Sequence, residues 1–335
     1  MANKLLKNLV FKSLHLTGGR PIKTSYSGNG QIYCLHRVLG SEDKKHDKFN
    51  YIQEISAIRL EEIIKYLKQN NYDFISIDEY YSIREVKRKN PFVVFTFDDG
   101  YIDMFTQVYP LFKKYNIPFS IYITTDFVEH KMIVWWYILE EILLESKKLT
   151  FEYNGETFTY RYKNHQERYN TFLEVRNFIL DSSMDEYHAK IDIIFKQYII
   201  ANKYSKIFLN WDQIEQLSND PLVTIGSHSQ SHFNLANLSN NSVLNDLIQS
   251  KQLIESKINK TINHFAYPFG SQNEFNNQTI ETVKNVGFKT AVTTVMGNIM
   301  GNENMLALPR IMLCERFTKY SLNIRLSGIY QKLNS

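Results

Sequence analysis

Short apolar runs alternate with amphipathic segments along most of the chain. Runs at 31–35, 73–77, 92–97 and 119–124 come first, and runs at 223–227, 264–267, 289–295 and 306–313 follow. Each is brief and almost continuously apolar, the pattern of a strand covered on both faces. Between them, Ile58, Ile63, Ile64 and Leu67 recur at roughly helical spacing within 55–69. Ser239 reads as the N-cap of another helix, with Val243, Leu244, Leu247, Ile248 and Ile254 along one face. Strands alternating with helices predict an α/β fold with a largely parallel sheet or barrel.

The alternation breaks at about 127–210. Trp135, Trp136, Ile138, Leu139, Ile142 and Leu143 suggest an amphipathic helix. Alternating residues on both sides of Asn154-Gly155 predict a hairpin, and helical patterns fill 166–200. The strand–helix pattern then resumes, so this stretch reads as a mainly helical insertion in one domain spanning 31–313. A helix over 1–30 and another over 314–335 flank it.

Composition narrows the class of function. The net charge is +4, and the segment Arg84-Glu85-Val86-Lys87-Arg88-Lys89 reads as a solvated helix end. Nucleic acid is not indicated. Cys34 and Cys314 lie in apolar runs and read as buried thiols, with no disulfide framework. Near the N-terminus, Leu5, Leu6, Leu9, Val10, Phe11 and Leu14 are interrupted by Lys7, Asn8 and Lys12, too broken for a signal peptide. An amphipathic helix with Lys4, Lys7 and Lys12 on its wet side packs onto the domain or lies on an anionic membrane surface. No apolar stretch reaches the roughly 20 residues a membrane span needs. The expected location is the cytoplasm, with peripheral contact at the inner face of the membrane as the variant; oligomeric state is left open.

Two polar pairs close apolar runs. FTFDDGY puts Asp98 and Asp99 after the run 92–97, and IGSHSQSH puts His228 and His232 after 223–227. Alone, Asp-Asp-Gly is ordinary turn chemistry, and histidines four apart occur by chance. At strand carboxyl ends of a parallel fold, however, polar residues face the ligand crevice. Adjacent carboxylates there also repel each other unless a cation intervenes. Two imidazoles and one carboxylate form an open shell suited first to Zn2+, with Co2+, Fe2+, Mn2+ or Ni2+ as alternatives. The spare carboxylate can then handle a proton.

Taken together, FTFDDGY, IGSHSQSHFNL and FAYPFG, in that order, resemble the polysaccharide deacetylases, the carbohydrate esterases (family four) with a NodB-homology domain. The stretches LNWDQIEQLSND and AVTTVMGN…LALPRIML resemble the same family, and the likeness covers roughly 31–313 apart from the insertion. It implies a distorted (β/α) barrel and metal-dependent removal of N- or O-acyl groups from sugars. It further implies Asp98 as general base and Asp99, His228 and His232 as metal ligands. The N–H of Phe269, after the motif proline, is the implied oxyanion donor. Tyr101 and Tyr267 are placed to meet substrate.

The chain departs from the family pattern twice. Ala266 stands where an arginine often holds the base, and no late Leu-x-His supplies a general acid. A subgroup acting on surface polysaccharides carries an early YHRV-like strand instead, which YCLHRV resembles. His36 is thereby the candidate acid, its pKa expected to be raised by nearby carboxylates. Arg310 is the candidate for holding Asp98, ahead of Arg37. Trp135 and Trp136 read as core packing before a sugar platform.

The expected function is hydrolysis of an N-acetyl group on a sugar during polysaccharide or lipopolysaccharide biosynthesis. The expected partner is an acylated sugar, lipid- or nucleotide-linked in the fuller version. N-deformylation by the same machinery is the enzymatic alternative. An inactive glycan-binding or scaffold protein on this fold is the alternative of another class.

Overall fold

Strand ends set where chemistry can sit, so the sheet comes first. The computed structural model describes residue 24 and residues 26–40, 53–84, 88–198 and 204–329. The helix expected over 1–30 therefore lies almost wholly outside the described residues. Among those described, no helix is long and apolar enough to cross a membrane.

The strands are β1 (Gly30–Leu35), β2 (Arg37–Leu39), β3 (Glu54–Ser56), β4 (Asp73–Phe74), β5 (Phe92–Phe97) and β6 (Phe119–Ile123). They continue as β7 (Lys148–Tyr153), β8 (Glu156–Arg161), β9 (Val223–Ser227), β10 (His264–Ala266), β11 (Thr290–Met296) and β12 (Leu308–Met312). The main sheet runs β1-β12-β11-β10-β9-β6-β5, and β1 also pairs with β5, which closes the ring. All these pairings are parallel, giving a seven-stranded parallel barrel with β4 attached outside β5.

Side chains alternate across each strand, and both faces are covered. Tyr33, Leu35, Val93, Phe95, Phe97, Ile121 and Ile225 belong to the large core beneath the surrounding helices. Ile32, Val94, Tyr122, Ala266, Val292 and Leu308 fill one end of the barrel interior. Nearer the strands' carboxyl ends the same interior period delivers Cys34, His36, Thr96, Asp98 and Arg310, all buried. Apolar residues fill the barrel's base and polar ones its mouth.

The helical reading of 55–69 becomes a helix Ala57–Gln69 capped by Ser56. Its buried face carries Leu60, Ile63, Ile64 and Leu67, while Ile58 is 66% exposed. The run 73–77 is only briefly a strand. Ser76 accepts the Glu79 N–H at 2.9 Å and starts the helix Ile77–Ile83. Between β6 and β9 lie the helix Trp135–Glu145, the β7–β8 hairpin, and the helices His165–Leu180 and Met184–Phe195. They bury their own apolar cluster, including Leu139, Leu143, Val175 and Phe195. Cys34 is buried and Cys314 half-buried, both as free thiols.

Candidate active site

Backbone pairing continues one residue beyond two strands and fixes the first polar side chains. The Asp98 N–H donates to Leu35 O at 2.9 Å, and the His228 N–H donates to Ile123 O at 2.8 Å. Beyond these anchors the chain turns sharply. Asp99 (φ 73°), Ser229 (φ 68°), His232 (φ 53°) and Phe269 (φ 59°) all adopt left-handed backbone. Such conformations are disfavoured outside glycine and persist where surrounding structure imposes them, commonly at functional sites.

Asp98 and Arg310 form a buried fork. Arg310 Nη1 donates to Asp98 Oδ1 at 2.8 Å and Nη2 to Oδ2 at 2.6 Å. Its remaining donors reach Thr96 Oγ1 at 3.0 Å and Thr293 O at 2.7 Å. Burial pushes the Asp98 carboxyl up, but Arg310 and His228 outweigh it and hold the group at about 2. Asp98 is therefore ionised at neutral pH. Arg310 thus supplies Asp98 with the guanidinium that Ala266 cannot. Arg37 is committed elsewhere, paired with Asp103 and donating to the Tyr137 hydroxyl at 3.0 Å.

Asp99, His228 and His232 converge. His228 Nε2 lies 3.4 Å and His232 Nε2 3.2 Å from Asp99 Oδ1. That oxygen is buried and has no hydrogen-bond partner. The 2.8 Å contact of His228 Nδ1 with Ala266 O requires the proton on Nδ1, which turns Nε2 toward Asp99. An orphaned carboxylate oxygen and imidazole nitrogens within 4.8 Å of one another fit a divalent cation. The donor set does not fix which one.

His36 faces the same cleft, with a buried Nδ1 lacking a partner and a ring nitrogen within 4.8 Å of an Asp98 oxygen. Its charge differs from the expectation. Burial lowers its pKa, and although Asp99 and Asp98 pull upward, the balance falls below 6.5. The positive field of Arg310 and His228 adds to the effect of burial, so His36 is neutral at pH 7.

The cleft holds about 340 Å³ and is lined by His36, Asp98, Asp99, Tyr101, His228, His232 and Phe269, among others. Phe269 follows Pro268; its carbonyl accepts the Thr294 hydroxyl at 2.7 Å, and its N–H has no hydrogen-bond partner among the described residues. A Cβ on the next residue, Gly270 (φ 66°), would come within 2.9 Å of Thr294 N, so the turn requires glycine there. Tyr101 is buried, stacked on Phe208 at 4.9 Å, with the Arg37 guanidinium also over its ring. Tyr267 reaches the lining, but its ring stacks on Phe275 and its hydroxyl donates to Leu306 O at 2.8 Å. Strand alternation turns that side chain toward the helices, so its hydroxyl is not offered to substrate.

Several contributors escaped the sequence. Asp246 accepts the Gln230 N–H at 2.8 Å, the Ser231 N–H at 3.1 Å and the Ser231 hydroxyl at 2.5 Å, shaping the turn between the two histidines. Its signal was present: a carboxylate inside the apolar face formed by Val243, Leu247 and Ile254. Trp135 and Trp136 both line the cleft; Trp135 is buried and donates to the Tyr187 hydroxyl at 2.8 Å, and Trp136 lies 6.1 Å from the His232 ring centre. Tyr169, Leu173 and Arg176 also line it, and no local pattern marked them.

Fold and site together define a parallel barrel bearing a metal-type Asp–His–His cluster beside an arginine-held carboxylate. The sequence pattern of the polysaccharide deacetylase family matches residues 85–291, and the chain belongs to that family. A Bacillus subtilis (strain 168) protein named for the same family, YxkH, is 20% identical over 251 residues. That match takes in 74% of this chain but only 61% of YxkH, so the chain spans less than two thirds of that relative's length. Among solved structures, the Streptococcus pyogenes deacetylase PplD in complex with acetate superposes with a TM-score of 0.60 at 16% identity, over 91% of this chain and 99% of that one. The de-N-acetylase of Aggregatibacter actinomycetemcomitans gives 0.58 at 18% identity, over 88% and 98%. At these identities the structural likeness establishes the fold.

Proposed function

We propose that this protein is a metal-dependent carbohydrate de-N-acetylase acting in glycan biosynthesis. The observation that carries the reading is the division of labour between neighbouring carboxylates. Asp98 is held ionised by Arg310, while the orphaned Asp99 oxygen faces two imidazoles. Membership of the polysaccharide deacetylase family supports it, as does the activity named for the Aggregatibacter actinomycetemcomitans neighbour.

Asp99, His228 and His232 would hold the cation, which when bound supplies Lewis acidity toward water and the acyl carbonyl. Asp98 takes the proton of the attacking water, a role open to a carboxylate that stays charged at neutral pH. The Phe269 N–H donates to the oxygen that becomes negative as the carbonyl carbon turns tetrahedral. The leaving nitrogen needs a proton when the C–N bond breaks. His36, neutral at rest and within 4.8 Å of Asp98, accepts the water's proton from that carboxyl and passes it to the amine.

The test is acyl release from a panel of N-acetylated and N-formylated sugars by wild type and Asp98→Asn. Asp98→Asn should retain metal and lose about 10²–10⁴-fold in turnover, the usual worth of a general base. Wild-type turnover in Asp98→Asn would refute the assignment of the base, and release of formate alone would refute the acetyl preference.

A further inference from the structure

The cleft contains a cation that the hydrolytic chemistry leaves unused. Tyr169, Leu173 and Arg176 stand at i, i+4 and i+7 of the helix His165–Leu180, so one helical face contributes all three to the cleft. The Arg176 guanidinium lies 5.6 Å from the centre of the Phe269 ring, which is itself 4.7 Å from the centre of the His232 ring. It thus stands over the wall formed by the candidate oxyanion donor and a candidate metal ligand.

Its partners are few. Arg310 is locked onto Asp98, and Arg37 onto Asp103. Arg176 forms no ion pair among the described residues, and its one hydrogen bond goes to Asn177 Oδ1 at 3.3 Å. Glu274 exerts a field on it, but a Glu274 carboxylate oxygen is taken by the Ser271 N–H at 2.7 Å. Burial disfavours the charged guanidinium, yet arginine does not give up its proton in proteins. A partly desolvated fork with unfilled donors suits an oxyanion, which it can engage bidentately.

We propose that Arg176 determines specificity by binding an oxyanion carried on the substrate, so that the site selects acidic N-acylated sugars over neutral ones. The inference rests on the deacetylase reading and narrows its substrate class. The helical segment between β6 and β9 thereby supplies selectivity while the barrel mouth supplies the chemistry. The oxyanion's source is a sugar phosphate, a nucleotide diphosphate linkage or a uronate, and the probes separate them.

Binding to zinc-loaded wild type, Arg176→Gln and Arg176→Lys is measured by calorimetry. The probes are N-acetylglucosamine, its 1-phosphate, its uridine diphosphate conjugate and the corresponding N-acetylated uronate, with acyl release followed in parallel. At least one acidic probe should bind wild type about 10–100-fold more tightly than the neutral sugar, the scale of a hydrogen-bonded charge pair. Arg176→Gln should erase that preference, acting on KM more than on kcat, and Arg176→Lys should recover part of it. Equal affinity for all four probes in wild type overturns the proposal. So does a preference that persists in Arg176→Gln, which would place the anion on the metal. Turnover of the neutral sugar without acidic preference would leave the hydrolytic reading standing and sink this one. Arg176-dependent binding of an acidic probe without acyl release would do the reverse.

Discussion

Replacing Arg310 with Met should move the acid limb of the pH–rate profile upward, because the guanidinium keeps Asp98 charged in a site where burial opposes charge. Asp98 is 1% exposed, yet its pKa is about 2 against an ordinary 3.8. At about 1.36 kcal/mol per pKa unit, the gap favours the ionised form by roughly 2.5 kcal/mol. Complete burial alone raises a carboxyl by up to about 3–5 pKa units. With a bound cation still present, the limb in Arg310→Met should settle at about pH 5–7. The stability linkage changes sign as well. In wild type the depressed carboxyl stabilises the fold fully above its unfolded value of about 3.9, and that contribution is lost as pH falls through about 2. In Arg310→Met the raised carboxyl costs stability as pH rises above that unfolded value, so its Tm should improve on mild acidification. Breaking a buried pair costs about 3–5 kcal/mol, so the variant melts lower at neutral pH. Arg310→Lys keeps the charge without the fork and should fall between the two. The assay is kcat/KM and Tm over about pH 4–9 with metal content checked at each point. An unshifted acid limb in a folded, metal-loaded Arg310→Met would refute the view that Arg310 holds the base.

Two further outcomes test the shell and its support. Asp99→Asn should fold, because asparagine tolerates the left-handed backbone of that position (φ 73°), yet it should bind zinc far more weakly by calorimetry and lose activity with it. Retention of wild-type zinc affinity would remove Asp99 from the ligand set. Asp246→Asn cannot accept all three donors from Gln230 and Ser231, and should weaken zinc binding by about 10–100-fold through the slackened histidine turn. A lowered Tm with unchanged zinc affinity would make Asp246 a purely structural residue.

Much of the barrel was legible because strand periodicity and burial are local signals. The runs 92–97 and 223–227 became β5 and β9 with the same bounds, and Ser239 caps its helix as the pattern suggested. Ile58 and the run 73–77 were misread because helix phase and a serine cap overrode apolar content. Tyr267 does line the cleft, but its hydroxyl is taken by Leu306 O, a contact 39 residues away that no local pattern marks.

By itself, the sequence determined the strand–helix alternation and the two polar pairs at strand ends, since each depends only on neighbours along the chain. Tertiary structure decided the rest. Barrel closure brings Arg310 to Asp98 across 212 residues, and the helical segment between β6 and β9 seats Arg176 over Phe269. Burial then decided the charge of His36 against the pull of the carboxylates beside it. Desolvation and long-range pairing are properties of the enclosed site, set only when the strand ends meet at one mouth.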